Sequence, residues 1–364
     1  MEPILLSVKN PRDINEPLSN EIPSEEYETF RSRIFPKLGF LKILKLIKIN
    51  PDNFIVPDLK IGWVVPTYYK ALKIYKKCEF QRILISCPPF SSAIIGLMLK
   101  RKLKISAILD LRDSWTTNPY KKYNIFSQRI NQLIEKKCIE NYDKIVCATH
   151  TIKNDYLKKY PDMKEKFSVI YNAVDLDELP RRFKPKNKTF TIISVGHLYH
   201  LRDPKPFIKG LTKAIRKEKL KPEQIRFVNV GIRNKELKNV FKNENMEPYL
   251  KEISYIPKRE CLKLIQQADM SLLIEYSSAL TSKVFDYLSF NNPILALTKS
   301  NEMRDLIKKY SKKSIVISEK NADKISDAIL YFYNHKRTTS QINGEFLRNV
   351  NARNEIKRLI EEIN

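Results

Sequence analysis

The chain has 364 residues, 42% of them hydrophobic and 30% charged, and 67 Lys and Arg against 41 Asp and Glu leave a formal net charge of +26. The composition fits a soluble globular protein, and the length exceeds what one hydrophobic core usually serves, so two domains are expected. Apolar runs such as Ala93 to Leu99 fall far short of the ~18 residues that cross a bilayer, and no basic segment followed by an apolar one opens the chain, so neither a spanning helix nor a signal peptide is expected.

The chain up to Gln81 is the least regular part. Pro3 to Val8 reads as a strand. No glycine precedes Gly39, so the glycine-rich turn that usually follows the first strand of a Rossmann unit is absent. Either the chain begins at what would be the second strand or this domain is degenerate there; a start site placed too far downstream gives the same pattern. Lys37 to Ile49 then sets Lys42, Lys45 and Lys48 at every third position among Leu41, Ile43, Leu44, Leu46 and Ile47. On a helix this spacing makes a basic stripe beside a broad apolar face. It suits an interfacial helix held to anionic lipid, at ~1 kcal/mol per lysine near the surface. It suits equally an ordinary surface helix packed on the core.

From Arg82 onward, short β-branched runs alternate with amphipathic segments. Strands are expected over Arg82–Pro89, Ile105–Asp113, Lys144–Thr149 and Ser168–Asn172, with helices over Ser91–Arg101, Phe126–Ile139 and Thr151–Tyr160 between them. Continuous apolar strands separated by helices form a parallel sheet covered on both faces. Asp175 to Lys188, charged and holding Pro180 and Pro185, is the expected linker. The alternation then restarts. Strands are expected over Thr189–Gly196, Arg226–Gly231, Ile253–Ile256, Met270–Tyr276, Pro293–Thr298 and Ser314–Ser318, and helices over Lys205–Lys217, Asn321–Tyr333 and Asn354–Ile363. Two such units in succession imply an α/β protein of two facing, doubly wound Rossmann-like domains, with ligand held beyond the carboxyl ends of the strands. The expected domains are residues 1–176 and 177–345, with 346–364 a C-terminal helix packing back on the first domain.

The cysteines, Cys78, Cys87, Cys138, Cys147 and Cys261, are odd in number, lack CxxC spacing and sit in apolar runs, which points to buried reduced thiols. Four histidines outside any ligand-like cluster leave no metal expected. The charge concerns partners: nucleic acid, an anionic membrane or polyphosphate substrate, or a lysine-rich genome. Lysines spread along the whole chain make the last account for part of it. No helix-turn-helix, RRM or zinc-finger pattern accompanies the charge, so no nucleic acid is expected.

Chemistry concentrates between Cys87 and Tyr120. Pro88, Pro89, Phe90, Ser91 and Ser92 follow one strand, and Asp110, Arg112, Asp113 and Trp115 close the next. Carboxylates, a guanidinium and a sugar-stacking aromatic in one loop suit a carbohydrate site. The plainer alternative is a capping and salt-bridge cluster, with Asp113 or Ser114 as the cap and Arg112 pairing with a neighbour.

The pair PPFSS…DLRDSW resembles the family-4 glycosyltransferases of the GT-B fold, in the branch that builds surface polysaccharides and lipid-linked glycans. Residues 57–63 (PDLKIGW) are similar to a segment of that branch. Residues 169–175 (VIYNAVD) resemble its interdomain V-I-x-N-G-x-D motif, with Ala173 in the glycine's place. Residues 194–204 (SVGHLYHLRDP) resemble the glycine turn that meets the donor diphosphate, and residues 280–297 (LTSKVFDYLSFNNPILAL) the donor-site segment S-K-x-x-E-Y-L…P-I-L-A.

The resemblance implies a retaining, metal-independent transferase without a cofactor. It implies a nucleotide-sugar donor bound between the two domains, a lipid-linked or polysaccharide acceptor, and a place in the cytoplasm, peripheral on the inner face of the membrane. Gly196 would let the backbone approach the phosphates, Arg202 would neutralise them, and His197 and Tyr199 would line the donor. Lys283, after Ser282, would add a cation at a helix start, and Asp286 would take the place of the ribose-binding Glu. Asp110, Arg112, Asp113, Trp115 and residues 88–92 would face the sugar and acceptor. The departing nucleoside diphosphate gains negative charge, so fixed cations and N–H groups aimed at it are what the chemistry needs. Two departures stand out: Asp286 is a methylene shorter than Glu, and Ser278 stands where the family's first donor-site Glu would fall. They motivate the alternative of a catalytically impaired GT-B scaffold or partner subunit. A basic nucleic-acid-binding protein is the third reading, motivated by charge alone.

Overall fold

The computed structural model describes residues 3–9, 28–35, 55–121, 123–180, 188–198, 202–232, 235–336 and 341–363. The expected interfacial lysines Lys42, Lys45 and Lys48 and the donor-side Tyr199 lie outside these residues. The chain divides into two compact units. The first runs to Ile170 and resumes at Glu361, and the second spans Tyr171–Ile360. The division precedes the expected boundary at 176 for a visible reason. Ile170 N still donates to Cys147 O in the first unit. Tyr171 is already tied into the second, its N donating to Glu355 at 2.9 Å and its hydroxyl to Glu302 at 2.9 Å.

In the first unit, β1 (Leu5–Val8) does form, and pairs in parallel with β2 (Thr29–Ser32) as a separate two-stranded sheet. β1 thus forms where Pro3 to Val8 was expected to be a strand, but it stands outside the sheet of the later strands. After α1 (Val64–Cys78) come β3 (Arg82–Cys87), α2 (Ser91–Leu103), β4 (Ser106–Leu111), α3 (Ile125–Asn141), β5 (Lys144–Cys147), α4 (His150–Lys159) and β6 (Phe167–Val169). The four later strands form a parallel sheet in chain order. Ala107 to Leu111 are all buried, as an interior parallel strand demands. Asn124 and Thr149 cap α3 and α4 by accepting from Ser127 N at 2.7 Å and Ile152 N at 3.0 Å. Phe90, Trp115, Tyr142 and Tyr156 fill the core with Cys87, Cys138 and Cys147, which are free thiols.

The second unit continues with β7 (Phe190–Val195), α5 (Lys205–Glu218), β8 (Ile225–Val230), α6 (Lys235–Asn243), β9 (Leu250–Ile253), α7 (Lys258–Gln267), β10 (Met270–Glu275), α8 (Lys283–Leu288), β11 (Ile294–Thr298), α9 (Asn301–Tyr310), β12 (Ile315–Ile317), α10 (Ala322–Asn334), α11 (Gly344–Asn349) and α12 (Ala352–Ile363). Its parallel sheet has the order β12-β11-β10-β7-β8-β9. The strand expected at Ile253–Ile256 lies earlier, at Leu250–Ile253. β9 is an edge strand, so Lys251 and Glu252 are tolerated within it and hide its apolar pattern. β10, by contrast, is buried at every residue. Successive strands are added outward to one side from β7 and to the other side from β10, so the winding reverses between these parallel neighbours. This is the topological switch point, where loops at the carboxyl ends diverge and leave a crevice for ligand.

Candidate functional site

The two strands at the switch point end in Val195 and Glu275, and the groups clustered around them are cationic, anionic and glycine. Gly196 follows β7 with φ +93°, and its N donates to Val230 O at 2.6 Å. A Cβ at Gly196 would fall 2.7 Å from Lys283 Cε and closer still to Nζ, so the lysine ammonium occupies the space a side chain would take. Glycine is required both by this approach and by the positive φ. Val195 N donates to the Tyr287 hydroxyl at 2.9 Å, which fastens α8 to the end of β7 and so positions Lys283.

Four charged groups accompany that lysine. Arg202 Nε donates to Glu275 Oε2 at 3.0 Å, and Ser277 donates to Oε1 from its hydroxyl at 2.6 Å and its N at 3.3 Å. Lys258 Nζ lies 2.5 Å from Asp286 Oδ2. Burial, and then the neighbouring Arg202, pull the Lys283 ammonium down to about 8, against the opposing pull of Glu275, Asp286 and Cys261. Burial raises the Asp286 carboxyl above its ordinary value, against the pull of Lys258 and Lys283. The cluster can bind an anion: a phosphate arriving beside Lys283 and Arg202 would meet two cations, one of them balanced by a buried carboxylate. His197 is half-buried beside Gly196, and Ser282 is exposed before α8.

The structure thus brings Gly196, Arg202, Lys283 and Asp286 into one neighbourhood. Sequence reasoning missed Glu275 and Lys258. A signal for Glu275 was there: a carboxylate ends the otherwise apolar run MSLLIE at a carboxyl edge. Lys258 carried none, since it is one of many lysines.

In the first unit, Asp110 and Arg112 close β4. Arg112 grips Asp110 with Nε at 2.9 Å from Oδ2 and Nη2 at 2.6 Å from Oδ1. Ser86 Oγ donates to Asp110 at 3.0 Å, and Arg112 Nη1 to Ile170 O at 3.2 Å. Asp113 is exposed. At the end of β3, Pro88 is exposed and Pro89 half-buried, while Phe90, Ser91 and Ser92 are buried. Ser91 N donates to Asp58 Oδ2 at 2.9 Å, so Asp58 steadies this loop. Trp115 departs from expectation. It has no solvent exposure, stacks on Phe90 at 4.6 Å between ring centroids, and donates from Nε1 to Asn131 at 2.8 Å. Both its faces and its polar handle are used inside the core, so it leaves the acceptor-side set as a sugar-stacking residue.

A depression of about 350 Å³ lined by Lys100, Lys104, Ile105, Ser106 and Asp143 sits at the amino end of β4. It is on the edge away from Asp110, and in parallel sheets ligands bind at the carboxyl edge. Among the described residues no group of His, Cys, Asp or Glu is assembled to hold a metal ion.

Two family models match the chain in succession, Glycosyltransferase Family 4 over residues 29–178 and Glycosyl transferases group 1 over residues 175–345. No curated protein matches it in sequence. Among solved structures, sucrose-phosphate synthase from Thermosynechococcus elongatus is similar over 98% of this chain and 87% of its own, with a TM-score of 0.66 at 12% identity. The N-terminal domain of Candida albicans trehalose-6-phosphate phosphatase reaches a TM-score of 0.65 at 10% identity, covering 99% of this chain and 88% of its own. A TarM mutant from S. aureus, solved with fondaparinux, alpha-GlcNAc-glycerol and UDP, has a TM-score of 0.52 at 13% identity over 75% of this chain and 59% of its own. At these identities the likeness is one of fold.

Proposed function

Because this chain belongs to the family-4 glycosyltransferases, enzymes of the GT-B fold that use a nucleotide-sugar donor, we propose that its second unit holds the donor diphosphate at Gly196, Arg202 and Lys283. The observation that carries this is the Lys283 ammonium standing over Gly196 at the switch point, beside Arg202. As the glycosidic bond to the diphosphate breaks, negative charge grows on the leaving oxygen. The fixed cations Arg202 and Lys283 stabilise that charge more in the transition state than in the ground state. On this reading the enzyme needs no metal and retains the anomeric configuration. Asp286, released from Lys258 or acting beside it, contacts the ribose. Ser282 and His197 line the same turn.

The first unit supplies the acceptor side. The Asp110–Arg112 pair holds the loop after β4 in shape; Asp113 is an exposed group of that loop, and Pro88 of the loop after β3. The acceptor is a lipid-linked glycan or a polysaccharide, and the enzyme works peripherally on the membrane's inner face. No described helix is long and apolar enough to cross a membrane.

UDP is the first nucleotide to test, since the TarM mutant was solved with it. Calorimetry with UDP, GDP, ADP and dTDP is expected to find at least one that binds the folded chain, weakened about tenfold or more in Arg202→Ala. Absence of binding by all four ends this reading.

A further inference from the structure

The first unit carries an apolar strip that is exposed among the described residues. On α3, Ile125, Phe126 and Leu133 are 77%, 72% and 69% exposed, while Ser127, Asn131, Glu135 and Cys138 face the core. At helical spacing Phe126, Arg129, Leu133, Lys136 and Lys137 follow one outer face, and the three basic residues are exposed. A single exposed leucine is ordinary, but a rimmed cluster of large apolar groups marks a surface that meets something. The topology says where it lies. A helix that follows a parallel strand begins at the carboxyl edge of the sheet. Ile125 and Phe126, in the first turn of α3, therefore stand on the edge that carries Pro88, Asp110 and Asp113. Tyr120 and Lys121, both exposed, lead into that turn.

We infer that this face of α3 docks the protein on an anionic lipid bilayer, with Ile125, Phe126 and Leu133 beneath the headgroups and Arg129, Lys136 and Lys137 against their phosphates. Charge decides the occupant. A second copy meeting the face about a two-fold axis would oppose these cations to themselves, in a chain of net charge +26. An anionic surface is attracted instead. The one carboxylate on this face, Glu140, is held by Lys136 at 3.7 Å. Docked this way, the loops after β3 and β4 lie next to the headgroup layer, where the sugar of a lipid-linked acceptor is found. That consequence rests on the acceptor-side reading above, and the docking deepens the peripheral reading given with it.

The test is co-sedimentation of the full chain with vesicles of phosphatidylglycerol and phosphatidylcholine, and with vesicles of phosphatidylcholine alone. The chain is expected to bind the anionic vesicles and to lose affinity with salt. The double substitution Ile125→Ser with Phe126→Ser should weaken binding about tenfold or more, and Lys136→Ser or Lys137→Ser about fivefold each at low salt. Thermal melting and UDP binding should stay unchanged in all three, so loss of docking is read separately from loss of the donor site. Three results overturn the inference: no binding of the parent chain to anionic vesicles, undiminished binding by the apolar double variant, or a parent dimer in solution that the double variant dissolves.

Discussion

Arg202 and Glu275 form an ion pair at the switch point of the second unit, Nε lying 3.0 Å from Oε2 of a carboxylate that has no solvent exposure. The pair fixes where the guanidinium points, and it leaves Lys283 with the unbalanced positive charge. Removing one partner strands the other. Glu275→Ala is expected to cost about 3 kcal/mol in urea unfolding, and Arg202→Ala a comparable amount by leaving the buried carboxylate uncompensated. The double variant should lose less than the two single losses together. Additive losses mean the pair is not coupled.

Lys283 gives the site a pH dependence. In the free protein its ammonium titrates near 8 rather than 10.5. A bound diphosphate favours the charged form, so nucleotide affinity should hold steady below about pH 8 and fall above it, with proton uptake on binding. Calorimetry in buffers of differing ionisation enthalpy measures that uptake. It should vanish in Lys283→Met. Stability moves the other way. Between about 8 and 10.5 the unfolded chain holds the lysine proton and the folded chain does not. Unfolding then takes up protons, and this group's contribution to stability rises with pH across the window.

Gly196→Ala tests the cradle. The residue sits at φ +93°, and the added methyl would strike the Lys283 ammonium. The expected result is a loss of about 1–3 kcal/mol in stability from backbone strain, with diphosphate affinity lost in what remains folded. Ordinary UDP affinity in Gly196→Ala would show that Lys283 stands elsewhere when donor binds.

Asp110 and Asp113 separate structure from chemistry in the first unit. Asp110 is 5% exposed and gripped by Arg112 and Ser86, so Asp110→Ala should lower stability by about 3 kcal/mol whatever its part in turnover. Asp113 is exposed, and Asp113→Ala should leave stability within about 0.5 kcal/mol. If Asp113 serves the reacting groups, kcat falls about a hundredfold in that variant at unchanged melting temperature. An unchanged kcat removes it from the catalytic set.

Much of the architecture was legible in the chain. Arg82 to Cys87, Ser106 to Leu111 and Met270 to Glu275 announce themselves as strands because an interior parallel strand is apolar on both faces, and that is a local property. The glycine turn and the Lys283 segment were visible as motifs. β9 was misplaced because an edge strand keeps charged residues, and Trp115 was misread because an aromatic in a polar loop looks the same in sequence whether it faces solvent or Phe90.

Local apolar periodicity and turn chemistry by themselves determined two parallel α/β units, the residues that end each strand, and a cationic segment after a glycine turn. Which of those ends become neighbours was decided only by the tertiary structure. The order β12-β11-β10-β7-β8-β9 sets the ends of β7 and β10 side by side, and so joins Arg202 to Glu275 and Gly196 to Lys283. Partners so distant along the chain meet through sheet order and helix packing. Those depend on burying whole faces at once, and no short stretch of sequence records them.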